Sequence, residues 1–334
     1  MLYSLLRSLL FTLPAETAHD LTLACLRSGA GKLYPCSRPA KPVTLWDLEF
    51  RNPVGLAAGL DKNGDCIDGL AALGFGFIEV GTVTPRPQAG NPSPRLFRLP
   101  EAQALINRMG FNNKGVDYLV RAVGKRRYDG VLGINIGKNK DTPEEQAAED
   151  YRYCLERVHA EADYVVMNVS SPNTPGLRKL QHGEQLKQLL EVSRATQTRL
   201  DQRAGRRVPL VVKVAPDNDA EAFAAMADAF VQAGVDGVIV SNTTLSREGV
   251  AQLRHGNEAG GLSGAPVKSL ADAALAQMSA ALGGRLPIIG VGGIGSGEDA
   301  AHKQALGASL VQIYSGFIYQ GPQLVQAAVA AWQA

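Results

Sequence analysis

The sequence is short of cysteine, of net charge and of any long apolar run, and each shortage argues against a class of function. Its four cysteines, Cys25, Cys36, Cys66 and Cys154, form no C-x-x-C pair and no tight cluster. That argues against an iron–sulfur cluster, a structural zinc site or a disulfide framework, and for a reducing compartment. A formal net charge of +2 shows no bias toward nucleic acid. The basic groups Lys125-Arg126-Arg127 and Arg206-Arg207 are short and read as solvated helix ends or loops. Only 20% of residues are charged and 45% are apolar, so the chain can bury a sizeable core.

Residues 1–40 differ in pattern from the rest of the chain. Leu2, Leu5, Leu6, Leu9, Leu10 and Leu13 fall on one stripe of a helix over 1–13, which Pro14 ends. A second helix over 16–27 carries Ala18, Leu21, Cys25 and Leu26 roughly on one side, and Gly29 to Gly31 closes it. Thirteen residues are too few to span a bilayer, and no positive segment precedes them as in a signal peptide. Two readings stay open, a helix pair packed on the main body or an interfacial membrane anchor. On the residues alone, packing is preferred.

From Lys41 onward one rhythm repeats: apolar strand, polar turn, helix. Strands are expected at 53–57, 77–80, 131–136, 164–169, 210–214, 237–240, 288–291 and 310–313. Helical stretches lie at 144–160, 184–200, 220–233 and 270–282. Apolar strands with little alternation signify a parallel sheet covered on both faces. The expected architecture is an α/β fold, a (β/α)8 TIM barrel over 41–334, with a two-helix extension over 1–40 and a small hairpin over 44–52.

Barrel chemistry sits where strands end. After the fourth strand comes Asn168-Val169-Ser170-Ser171-Pro172-Asn173-Thr174-Pro175-Gly176, which offers amides to hold a planar polar ligand and hydroxyls to act on it. The other ends carry Ala58-Gly59-Leu60-Asp61-Lys62, Gly81-Thr82, Asn135, Lys213, Ser241-Asn242-Thr243, Gly292-Gly293 and Tyr314-Ser315. A lone Asn at a strand end is usually a turn or cap residue. The coincidence over all eight ends points to a site. Gly290-Val291-Gly292-Gly293-Ile294-Gly295 matches G-x-G-x-x-G, but at the seventh strand and with no acid ending the next. Barrels bind phosphate at that place, so a mononucleotide is favoured over a dinucleotide, with Gly260 to Gly264 as a further backbone approach.

Together these motifs, with Asn107-Arg108-Met109-Gly110-Phe111 and Asn135-Ile136-Gly137-Lys138-Asn139, resemble the dihydroorotate dehydrogenase family from about residue 40 to the end. The helix pair, with His19 in Ala18-His19-Asp20, looks like the extension of the membrane-associated, quinone-using class. The soluble classes begin at the barrel and have cysteine where this chain has Ser171.

The resemblance implies an FMN oxidoreductase of pyrimidine (UMP) biosynthesis that turns dihydroorotate into orotate. Ser171 falls on the base that takes the C5 proton while hydride passes from C6 to the flavin, which a membrane quinone then reoxidises. Lys62, Asn107, Arg108, Met109, Gly110, Phe111, Asn168, Asn173, Asn242 and Thr243 fall on the substrate pocket. Ala58, Gly59, Leu60, Asp61, Lys62, Thr82, Asn135, Asn168, Lys213, Ser241, Gly264, Gly293, Tyr314 and Ser315 fall on flavin contacts, with Ser241 where relatives carry threonine. His19, Arg98 and Tyr314 fall along a quinone route, and no metal is implied. The resemblance reverses the preference for mere packing of the helices. It implies a peripheral protein at the cytoplasmic face of the inner membrane, and deletion of 1–38 that spares reduction by dihydroorotate. A monomer is expected.

The residues support these roles. Lys62 and the asparagines give a carboxylated cyclic diamide cationic and amide donors. A fixed lysine such as Lys213 stabilises negative charge on a reduced flavin ring. A serine hydroxyl is a poor base for a carbon-bound proton, and none of His19, His159, His182, His255 or His302 sits at a strand end to activate it. A relay through water and Thr174 is expected instead. The stretch 173–182 reads either as a surface loop or as a lid. A flavin-free isomerase on the same barrel, or a non-catalytic nucleotide sensor, would share the phosphate glycines.

Overall fold

Apolar strands leave their polar edges as the part still to be satisfied, and here those edges pair until the sheet closes on itself. The computed structural model describes residues 2–34, 36–37 and 39–333. The chain opens with α1 (Leu2–Phe11), α2 (Ala15–Arg27) and the hairpin β1 (Val43–Leu45) and β2 (Leu48–Phe50). There follow β3 (Val54–Leu56), α3 (Ile67–Ala71), β4 (Phe77–Val83), β5 (Leu96–Leu99), β6 (Ala104–Asn107), α4 (Val116–Val123) and β7 (Val131–Ile136). The middle comprises α5 (Ala147–Val158), β8 (Tyr164–Asn168), α6 (Gly183–Ala204), β9 (Leu210–Val214), α7 (Ala220–Ala233) and β10 (Gly237–Val240). Last come β11 (Gly261–Gly264), α8 (Lys268–Leu282), β12 (Ile288–Val291), α9 (Gly297–Ala305), β13 (Ala308–Ile313), α10 (Ser315–Gln320) and α11 (Pro322–Ala331).

One closed parallel barrel runs β10-β12-β13-β3-β4-β7-β8-β9, so the fold is the expected (β/α)8 barrel with an N-terminal helix pair. All the expected strands are present, β4 running on to Val83 and β13 starting early at Ala308. The helix expected over 144–160 opens as a 3-10 turn at Glu144–Gln146 before α5. Met1, where the first expected helix began, and Ala334, the expected end of the barrel domain, lie outside the described residues. Unforeseen is a separate sheet in the order β11-β6-β5, with Gly261 and Leu96 both opposite Asn107. Four-residue strands whose partner lies so far along the chain give no local signal.

Strand side chains alternate between the barrel interior and the helix layer. At the N-terminal end of the interior, Phe77 packs edge-on against Phe50 of the hairpin at 5.1 Å, and Trp46 lies 5.8 Å from Tyr164. Gly55 and Gly133 leave room for these rings, since a Cβ there would run into Phe77 and Tyr164 respectively. One layer up, Glu79 is fully buried and accepts from Asn135 Nδ2 at 2.8 Å, Gln312 Nε2 at 2.5 Å and the Tyr164 hydroxyl at 3.2 Å. Above that, the interior turns polar.

The extension joins the barrel by side chains that reach main-chain oxygens. Tyr3 donates to the Ile318 carbonyl at 2.7 Å and Arg7 to that of Tyr319 at 2.7 Å. From the barrel side, Arg98 donates to the carbonyls of Leu10 and Leu13 and sits 4.6 Å over the Phe11 ring. The outer leucines of α1 stay exposed, Leu5 by 70% and Leu9 by 69%. No described helix is long and apolar enough to cross a membrane.

Candidate active site

The C-terminal ends of the strands, roofed by β5, β6 and β11, enclose a cavity of about 1150 Å³, part of it open to solvent. Most residues singled out from the sequence line it. Ala58, Gly59, Lys62, Thr82, Asn168, Lys213, Ser241, Gly264, Gly293, Tyr314 and Ser315 are on its wall. So are Asn107, Met109, Phe111, Ser171, Asn173, Asn242, Thr243 and, from α2, His19.

Amides and hydroxyls at the mouth hold one another in place. Thr82 Oγ1 donates to Asn135 Oδ1 at 2.6 Å and accepts from Asn168 Nδ2 at 2.9 Å. Asn242 Nδ2 reaches Ser170 Oγ at 2.9 Å, and Asn173 Nδ2 reaches the Asn107 carbonyl at 3.1 Å. The Ser171 hydroxyl, 6% exposed as a residue, accepts from the Asn173 N–H at 3.2 Å. The nearby Thr174 Oγ1 is buried without a partner among the described residues. Beyond Thr174 the loop is packed, with Leu177 and Leu180 buried in a 3-10 turn. Arg178 straps it to the carbonyls of Ser170 at 3.1 Å and Thr243 at 2.8 Å.

Two lysines face this cavity without a hydrogen-bond partner among the described residues. Lys213 is buried, and desolvation lowers its pKa against a weaker pull from Glu79. Lys62 is crowded by protein, and desolvation first, then Arg95, bring it down to about 8. Desolvation and then Lys62 press His19 down to about 3, so its ring is neutral at any working pH. Burial pushes the Tyr314 phenol up to about 12.

Several named residues lie off the wall. Asn135 stands behind Thr82 and Asn168. Leu60 is in the core, and the Asp61 carboxylate takes the backbone N–H groups of Asn63, Asp65 and Cys66. Arg108 pairs with Glu258 at 2.8 Å and stacks on Phe97, while the Gly110 carbonyl accepts from Gln88. Arg98 is occupied by α1. Sequence reading passed over Glu79, Gln312 and Arg178. The first two were visible as polar residues inside apolar strands, but their shared interior address needed the barrel register.

The wall fits a flat mononucleotide. Gln312 Oε1 and Thr243 Oγ1 are buried wall atoms that lack partners among the described residues, as a heteroaromatic ligand with donors and acceptors would require. Gly264, Gly292 and Gly293 take φ of +105°, +110° and +74°, and a Cβ on Gly293 would strike the Lys268 backbone. Their bare main chain, with Ser315 opening α10, suits a phosphate. Among the described residues no cluster of His, Cys, Asp and Glu can hold a metal ion.

Comparison with known proteins decides the family. The family model described as dihydroorotate dehydrogenase matches residues 41–330. The chain belongs to the dihydroorotate dehydrogenase family. A protein of Azotobacter vinelandii named dihydroorotate dehydrogenase (quinone) is 60% identical over 99% of this chain and 96% of its own length. One of Pseudomonas aeruginosa with the same name is also 60% identical, over 99% of this chain and 98% of its own. Solved structures of the Eimeria tenella family member, with ferulenol and ligand-free, superpose with a TM-score of 0.88 each. They are 37% and 39% identical, covering 95% of this chain and 90% and 93% of theirs. The family match spans the barrel, and the full-length relatives take in the helical extension as well.

Proposed function

We propose that the chain oxidises dihydroorotate to orotate in pyrimidine biosynthesis, with FMN as resident cofactor and a membrane quinone as final acceptor. One observation carries the reading: the Ser171 hydroxyl and two lysines with no hydrogen-bond partner among the described residues share a single cavity at the C-terminal mouth of the barrel. FMN, when bound, would supply the two-electron acceptor for the hydride leaving C6, with the quinone as final oxidant. Lys213, Thr82, Asn168, Ser241 and Tyr314 would hold its ring, and Gly264, Gly293 and Ser315 its phosphate.

Lys62 takes the substrate carboxylate, and Asn107, Asn173, Asn242 and Thr243 take the ring amides and carbonyls. Ser171 receives the proton from C5. A neutral hydroxyl that gains a proton must release its own, which would pass by way of the Thr174 hydroxyl, unpartnered among the described residues, and ordered water to bulk solvent. The packed loop and the roof of β5, β6 and β11 keep bulk water from the reacting carbons.

Residues 41–334 form the catalytic unit and 1–40 the acceptor side. Exposed leucines on α1 suit burial at the boundary of a bilayer, which makes the protein peripheral, at the cytoplasmic face of the inner membrane. His19 and Tyr314 line the passage from that side. The protein works as a monomer. An anaerobic titration tests the activity: the purified protein should be yellow and bleach with one equivalent of dihydroorotate. A colourless protein would indicate an isomerase, and a yellow one that keeps its colour a sensor.

A further inference from the structure

The mouth of the barrel is braced from an unexpected side. Glu16, on α2 of the extension, receives Arg95 Nη2 at 2.7 Å, Arg95 Nε at 2.9 Å and Ser93 Oγ at 3.2 Å. Both side chains of the ion pair are largely buried, 25% exposed for Glu16 and 14% for Arg95. The remaining Arg95 nitrogen, Nη1, donates to the carbonyls of Ala89 at 2.6 Å and Asn91 at 2.9 Å, closing a turn around itself. The Arg95 carbonyl accepts from Arg108 N at 2.8 Å. From that turn, Asn91 Nδ2 donates to the carbonyls of Arg108 at 3.0 Å and Asn173 at 3.3 Å. Asn173 in turn gives its N–H to Ser171 and its amide to Asn107. An unbroken series of bonds therefore leads from the extension to the loop that carries Ser171.

We propose that Glu16 is a positioning residue for the dihydroorotate half-site: through Arg95 and Asn91, helix α2 holds the Ser171–Asn173 loop and the Asn107 strand end in binding order. The inference rests on the activity proposed above and deepens it. It gives the extension a part in the first half-reaction, so removing residues 1–38 would not leave reduction by dihydroorotate untouched as the sequence suggested. The same pair sets the charge around Lys62. That ammonium faces Glu16, His19 and Asp20 from α2, Asp61 from its own loop and Arg95 from the turn. Arg27 and Asp65 line the smaller cavity on its far side. Glu16 and the aspartates favour its proton and Arg95 opposes it, so loss of the Glu16 charge lets Lys62 lose its proton at lower pH.

Full-length Glu16→Ala and Glu16→Gln decide the matter, with orotate binding followed by calorimetry from pH 6 to 10 and the quinone step measured separately. Glu16→Ala should weaken orotate binding about fivefold, the low end for two coupled sites. Glu16→Gln, which keeps the shape but not the charge, should move the alkaline loss of binding to lower pH. Orotate affinity and pH limb both unchanged in Glu16→Ala, with only quinone reoxidation slowed, would overturn the proposal. Should the alanine variant fail to fold, an unmoved alkaline limb in Glu16→Gln overturns it alone. Wild-type protein that binds no orotate would instead refute the activity itself.

Discussion

At the N-terminal end of the barrel interior, Trp46, Phe50, Phe77 and Tyr164 meet ring to ring, and the Trp46 N–H is satisfied by the Asp236 carbonyl at 2.7 Å. At the C-terminal end, Lys62 and Lys213 lack partners among the described residues, and so do Thr243 Oγ1, Thr174 Oγ1 and Gln312 Oε1. The barrel strands reach from one end to the other: Phe77 and Thr82 lie five residues apart on β4, and Tyr164 and Asn168 four apart on β8. A buried polar atom left unbonded costs on the order of 1–3 kcal/mol, so the mouth is stable only against what the floor supplies or a ligand completes. Shape is fixed at one end and affinity held in reserve at the other. Glu79 stands at the boundary, its three donors accounted for and Lys213 above it.

Substitutions at the two ends should therefore fail differently. The largest effect is expected at the mouth, where Ser171→Ala should slow reduction by dihydroorotate roughly a thousandfold, about 4 kcal/mol in barrier. Its unfolding midpoint should stay close to wild type, and Ser171→Cys should retain part of the rate. An alanine variant reduced at the normal rate would remove the hydroxyl from the chemistry. At the floor, Phe77→Ala should cost about 3 kcal/mol in denaturant unfolding while the folded fraction turns over normally. Lost turnover with unchanged stability would mean that the two ends are not separable.

The smallest effect concerns pH. Lys62 attracts a carboxylate as the ammonium, which prevails below about 8 and gives way to the amine as pH rises through that value. The dihydroorotate concentration for half-maximal reduction should be flat below that point and climb above it, by roughly tenfold per pH unit at the steepest. A flat curve to pH 10 would take the carboxylate away from Lys62.

How much of this was readable beforehand follows the same division. Strands announced themselves because a run such as Leu210–Val214 has one reading in a barrel, and the mouth because polar residues come directly after each run. Glu79 and Gln312 were plain exceptions in apolar strands, yet only the closed register shows that they meet each other and Tyr164. Arg95 and Arg178 do their work from loops, where no periodicity constrains a side chain. Arg98, which the resemblance puts on the quinone route, and Arg108, from the Asn107–Phe111 stretch, have protein contacts that no pattern announces: the Leu10 and Leu13 carbonyls for the one, Glu258 and Phe97 for the other.

The seam between α1 and the barrel has a consequence for how this chain can drift. Tyr3, Arg7 and Arg98 all grip backbone oxygens, those of Phe317, Ile318, Tyr319, Leu10 and Leu13. A carbonyl is present whatever residue bears it. For these bonds mutation can rewrite the side chains that bear the receiving carbonyls without removing the acceptors, so the polar part of this seam depends on keeping its three donors.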